Sequence, residues 1–128
     1  MSEQNVDLVR RFLDAAARGD WPAVLGCFDP DVEFIPLRAA TEGVFHGHAG
    51  IERFIADNQA SFDLFEPDYE LRDAGDRVLA LGTVRLRGRG SGVEMNVPSA
   101  GVVDIRDGLI TRWQDFGSVP KALEFAGA

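Results

Sequence analysis

The chain is poor in the residues that most often carry chemistry: 128 residues hold one cysteine, two histidines and one tyrosine. A single thiol, Cys27, excludes an internal disulfide, and beside Val24, Leu25 and Phe28 it reads as a buried, inert side chain. His46 and His48 stand without a partner cluster at ligand spacing, so neither a metal cage nor any other cofactor is expected. Long apolar runs are missing as well. No stretch approaches the length that crosses a bilayer, and the N-terminus lacks a signal-type apolar segment, so the expectation is a cytoplasmic protein without a membrane partner. Positive charge is scarce: 13 Lys and Arg against 21 Asp and Glu leave a formal net charge of -8. That balance repels a phosphate backbone, and no basic stretch is long enough to offset it, which argues against nucleic acid. Arg85, Arg87 and Arg89 do alternate along one strand face, as a solvated surface or a subunit contact would.

What is present suits one globular domain over 1–128, with 45% hydrophobic residues available for a core. Val6, Val9, Leu13 and Ala16, flanked by Leu8, Phe12 and Ala15, recur at helical spacing across 3–18, and Gly19 closes that helix. Asp20 caps a short second helix opened by Trp21-Pro22, whose Val24, Leu25 and Phe28 can pack back on the first. After the turn residues Asp29-Pro30-Asp31, a short strand runs over 32–36, confined by proline to an edge or an end. The long loop from Leu37 to Gly47 has the length of a lid or pocket mouth. A third helix from His48 or Ala49 to Phe62 presents Ile51, Phe54, Ile55 and Phe62. Strands follow around Tyr69 and Leu71, then over 78–87, 93–105 and 109–116, with a terminal helical turn at 120–125. Helices first and hairpin-linked strands afterwards predict an α+β domain with a mixed, mostly antiparallel sheet covered by helices on one face.

The last hairpin carries the strongest chemical signal. Simple alternation along Leu109–Phe116 puts Leu109, Thr111, Trp113 and Asp115 on one face, so an acid shares its surface with an indole. Continued into the neighbouring strands, the same face receives Ala80, Gly82, Val84 and Leu86, and Val97, Ser99 and Gly101. An acid among such neighbours loses solvation when it ionises, which raises its pKa toward the range useful for proton transfer. Capping a turn or binding a backbone N–H is the plainer role for Asp115. His46 and His48 suit capping of the third helix, or a proton shuttle with Asp115 if either leans over the pocket mouth. Tyr69 suits core or interface more than an oxyanion donor, and Trp21 and Trp113 suit cavity wall and core. Ser99 has no base in its segment to make it a nucleophile.

Four segments carry a family resemblance: Val9-Arg10-Arg11-Phe12 with Gly19-Asp20, then Phe28 to Phe34 (FDPDVEF), Phe45 to Ile51 (FHGHAGI) and Asp107 to Phe116 (DGLITRWQDF). On these the chain resembles the nuclear transport factor 2-like, or ketosteroid isomerase-like, superfamily, nearest its SnoaL-like branch. The resemblance implies a cone-shaped α+β barrel with three N-terminal helices and a curved sheet enclosing an apolar cavity. It also implies a homodimer through the outer sheet face. The position of the ketosteroid isomerase base is Phe34 here. The limonene epoxide hydrolase carboxylate corresponds to Asp115, but that family's arginine and second aspartate fall at Gly82 and Val84, and its water-holding tyrosine and asparagine near Phe34 and Pro36. The SnoaL-like polyketide cyclases ask only for an acid in the cavity. The resemblance therefore implies an isomerase, cyclase or hydrolase acting on a small apolar substrate, with Asp115 as general acid/base and with Trp113, Phe34, Val84, Leu86, Val97, Ser99 and His46 around the substrate. A non-catalytic module that binds a hydrophobic small molecule, or an accessory dimerisation domain, is the alternative.

Overall fold

A computed structural model describes residues 2–37, 39 and 43–127 of the chain. The first helix, α1 (Ser2–Arg18), buries Leu8, Val9 and Ala15 on one stripe. It stops where Gly19 takes a positive φ of 70°, while the Gly19 and Asp20 amides bond back to the Ala16 and Ala15 carbonyls. Asp20 then caps α2 (Trp21–Leu25) by accepting the Ala23 amide at 3.3 Å. The strand β1 (Phe28–Ile35) starts four residues earlier than the sequence suggests, because the parallel pairing with the last strand breaks register across Asp29-Pro30-Asp31 instead of ending there.

After β2 (Phe45–His46) come α3 (Gly47–Ser61), β3 (Phe62–Asp73), β4 (Arg77–Gly88), β5 (Glu94–Arg106), β6 (Leu109–Phe116) and α4 (Val119–Ala126). The strands form one sheet in the order β2-β1-β6-β5-β4-β3, parallel only between β1 and β6. The α+β architecture with a mixed, mostly antiparallel sheet is the one expected. β2 and β3 stand at opposite ends of the sheet and do not pair, so the barrel stays open. The lid expected of the Leu37–Gly47 loop rests partly on residues 38 and 40–42, which lie outside the described residues.

Alternate residues of the central strands feed two cores. On the inner face Val78, Ala80, Val103, Ile105, Ile110 and Trp113 pack with α1, α2 and α3. On the outer face Leu79, Leu81, Ala100 and Val102 pack under Ala122, Val119, Leu123 and Ala126. The terminal segment is therefore a real helix, not a single turn: Ser118 caps it by accepting the Lys121 amide, and Gly127 ends it in the left-handed region. Helices cover both faces, a correction to the one-face expectation. The apolar outer surface to which the resemblance assigns a dimer contact is occupied here by α4. Farther along that face Arg85 and Arg87 join Glu66, Glu94 and Asp63 in a ladder of surface ion pairs. Arg89 instead donates to the Gln59 and Phe62 carbonyls at the end of α3.

Candidate functional site

The inner face is built in cross-strand rungs. Leu71, Ala80, Gly101 and Asp115 stand opposite one another, and Tyr69, Gly82 and Ser99 form the next rung outward. On the other side Val78, Val103, Trp113 and Phe34 form the rung toward the core.

One feature of β6 departs from simple alternation. Asp104 opposes Arg112 but Ile105 opposes Ile110, leaving Thr111 as an extra residue whose hydroxyl donates to the Asp104 carbonyl at 3.2 Å. The bulge exchanges the two faces beyond it. Ile110, fully buried, joins Trp113 and Asp115 on the inner face, while Leu109 and Thr111 do not, contrary to the alternation.

Trp113 lies forward along its own strand and donates Nε1–H to Asp115 Oδ1 at 2.8 Å. The indole has room because residue 101 is glycine: a Cβ there would sit 2.7 Å from Nε1. Protein surrounds the Asp115 carboxyl on nearly every side, yet part of the residue remains accessible. Among the described residues no side chain or amide bonds Oδ2, and no cation pairs with the group. Burial pushes its pKa up to about 6, against the smaller opposing pull of the indole N–H.

Tyr69 reaches across β4 to Ser99, near enough to Asp115 to feel its charge. Its hydroxyl lies 3.1 Å from Ser99 Oγ, two strands away, and Gly82 between them has no side chain to block the ring. A Cβ on Gly82 would also collide with the Asp68 carbonyl, so glycine lets β3 approach closely. Burial first, and the negative charge of Asp115 second, push the Tyr69 pKa up to about 12, while the Ser99 bond opposes both. The phenol stays protonated and can donate. Sequence reasoning left Tyr69 out of the site because β3 carries Pro67 and exposed charges and shows no clean alternation from which to set its register.

The other sequence-derived residues divide. Phe34 is buried with its ring 4.5 Å from Phe54 and 6.4 Å from Trp113, forming the wall below the acid. Val84 and Val97 oppose each other just outside the Tyr69 rung, and Leu86 follows one rung farther. His46 does not join them. It is exposed, paired with Glu33, and on the opposite face from Phe34 and its partner Phe45. His48 bonds the Phe28 carbonyl through Nε2 at 2.9 Å, a structural tie between α3 and β1. The deep end of the expected cavity is filled by the protein's own rings: Phe12 meets Phe28 and Trp113 edge-on, and Phe54 meets Phe34 and Phe45. Asp115, Tyr69 and Ser99 stand above these rings, on the two rungs farther from the core.

Elsewhere, a groove of about 470 Å³ runs along Asp7, Arg10, Arg11 and Asp14 of α1, but it is open and lined by exposed charges. Among the described residues no three His, Cys, Asp or Glu side chains converge as metal ligands would, and no helix is long and apolar enough to cross a membrane. Burial raises the pKa of Cys27 against the pull of Arg11, and its Sγ donates to the Ala23 carbonyl.

The family described as the SnoaL-like domain matches residues 9–113. The chain belongs to the SnoaL-like family. The match ends two residues before Asp115. An uncharacterized protein of Mycobacterium tuberculosis (strain ATCC 25618 / H37Rv) is 34% identical to it over 126 residues, covering 95% of each chain. Two solved structures show the same fold. A putative polyketide cyclase from Xanthomonas campestris pv. campestris has a TM-score of 0.81 at 22% identity, covering 98% of each chain. TerC, co-crystallized with polyporic acid, has a TM-score of 0.79 at 23% identity, covering 98% of this chain and 99% of its own.

Proposed function

We propose that this SnoaL-like domain is an enzyme that moves a proton at an acidic C–H of a small, largely apolar carbonyl compound. Asp115 is the base. Its free Oδ2 takes the proton from carbon, and the electron pair moves onto the carbonyl oxygen, which accepts a hydrogen bond from the Tyr69 hydroxyl. Ser99 then donates to the phenol oxygen and holds it in place. The Asp115 carboxyl, its proton now exchangeable with solvent, then delivers a proton back to carbon, so no net acid is consumed and solvent deuterium can enter the product. The single observation that supports this reading is a carboxyl enclosed by protein, without a cation, beside a protonated phenol. A structure of the same fold, TerC, was co-crystallized with polyporic acid, and a small ligand beside Asp115 agrees with that.

The aromatic filling of the deep end favours a second reading, in which the inner face around Asp115 binds a hydrophobic molecule and does no chemistry. Exchange of the α-hydrogens of butanone for deuterium, followed by NMR in D2O, separates the two. The enzyme reading expects exchange above background that falls by about 10²–10⁴ in Asp115→Asn, with ketone binding retained. Binding without exchange in the unaltered protein would sink it.

A further inference from the structure

The indole of Trp113 is held from several sides. On β6 the ring leans from its own rung, opposite Val103, to the next, where Asp115 stands opposite Gly101. There it occupies the place a side chain at 101 would need: a Cβ would come 2.7 Å from Nε1, 2.9 Å from Cε2 and 3.1 Å from Cζ2. Phe12 meets the ring edge-on at 5.4 Å, Phe34 stacks with it at 6.4 Å, and only 3% of the residue is exposed. Packing therefore fixes the direction of the N–H, which ends on Asp115 Oδ1 at 2.8 Å. An indole N–H donates and cannot accept. Facing a donor, Oδ1 is the carbonyl oxygen of the neutral acid, so the acidic proton sits on Oδ2.

We infer that Trp113 is the positioning residue of the base: its N–H holds Asp115 by Oδ1 and reserves Oδ2 as the oxygen that takes the proton from carbon and gives it back, while Gly101 makes room for the ring. This rests on the reading of Asp115 as the base. Trp113 acts through Asp115 and carries no proton of the reaction itself. A hydrogen bond to the ionised form also limits how far burial can raise the pKa, so one contact governs both the place and the strength of the base. Few other groups bear on that balance. From the neighbouring strands β4 and β5 present Ala80, Gly101 and Ser99, which carry no charge, and β3 presents Tyr69, whose phenol stays protonated. Among the described residues no charge on a helix adds to it.

The test replaces Trp113 by benzothienylalanine, which has sulfur where the indole has N–H and keeps the shape that packs. Separately, Gly101→Ala displaces the ring with a Cβ. The Asp115 midpoint is read from its carboxyl carbon resonance, identified by its loss in Asp115→Asn, and activity from deuterium exchange into butanone as a function of pH. In both variants the midpoint should rise by about one unit, since the ionised form has lost a charge-assisted bond. The exchange profile should move with it, and its plateau above both midpoints should fall about 10–100-fold with KM for butanone little changed. A base made stronger without losing its place would exchange as fast or faster on that plateau, and this result overturns the proposal. So does an unmoved carboxyl midpoint in the benzothienyl protein, or a loss of stability in urea with midpoint and plateau both unmoved. If Gly101→Ala does not fold, the isosteric protein decides alone. No butanone exchange in the unaltered protein removes the proposed function, and a raised midpoint in the benzothienyl protein then still supports the hold of Trp113 on Oδ1.

Discussion

Asp115 is a side chain whose proton equilibrium works against the fold. In the unfolded chain it ionises near 3.8, in the native protein near 6. A raised carboxylate pKa means that the native state holds its proton more tightly. The stability it contributes is therefore present at low pH, is lost as pH rises from about 4 to about 6, and stays lost above that. The difference amounts to about 2–3 kcal/mol. Asp115→Asn keeps an acceptor for the Trp113 N–H and removes the charge. It should be more stable than the unaltered protein by about that amount in urea at pH 8, with the gap closing toward pH 4. A variant no more stable at pH 8 would show that the carboxylate is solvated and not enclosed. The pairing of Asp115 with Trp113 was legible in the sequence because both lie on one hairpin with an unmistakable Asp-Gly turn. Tyr69 was not, because its neighbour Ser99 is thirty residues away and meets it only through the register of two other strand pairs.

At the level of elements, local signals located the helices and hairpins but not the phase of the sheet. Asp107 and Gly108 both take positive φ, as the two-residue turn requires, and that turn was readable from its residues. The bulge at Thr111 was not, since an extra residue has no composition of its own and is specified by the need to bring Ile110 inward. The start of β3 at Phe62 was hidden too, because an edge strand with exposed charges satisfies no alternation rule. The terminal helix was underestimated for a similar reason: its apolar stripe has a purpose only once the outer face of β4 and β5 is known. Ala122 is fully buried on that face. Ala122→Glu places a charge there and should cost about 2–4 kcal/mol in urea unfolding. The Trp113 indole resonance should stay where it is, since the inner core lies across the sheet. Unaltered stability would mean that α4 does not dock in solution.

For the whole molecule, the two cores are not two folding units. Val78 and Ala80 belong to the inner cluster, and Leu79 and Leu81 to the outer one, so neighbouring residues of a single strand serve both. The same holds on β5, where Val102 faces outward and Val103 inward. Neither face can lose its strands without removing the backing of the other, which makes the sheet a shared cooperative element. A single transition is expected in thermal or urea unfolding, with Trp fluorescence and far-UV circular dichroism tracing one curve and calorimetric and van't Hoff enthalpies agreeing. The heat-capacity increment should be about 1.5–1.9 kcal/mol/K for a chain of this length. The probes report different regions, because Trp21 and Trp113 both pack with the inner core while circular dichroism also sees α4. A fluorescence transition displaced from the circular-dichroism transition would show that the outer core and its helix melt separately, and would break the link drawn between the two faces.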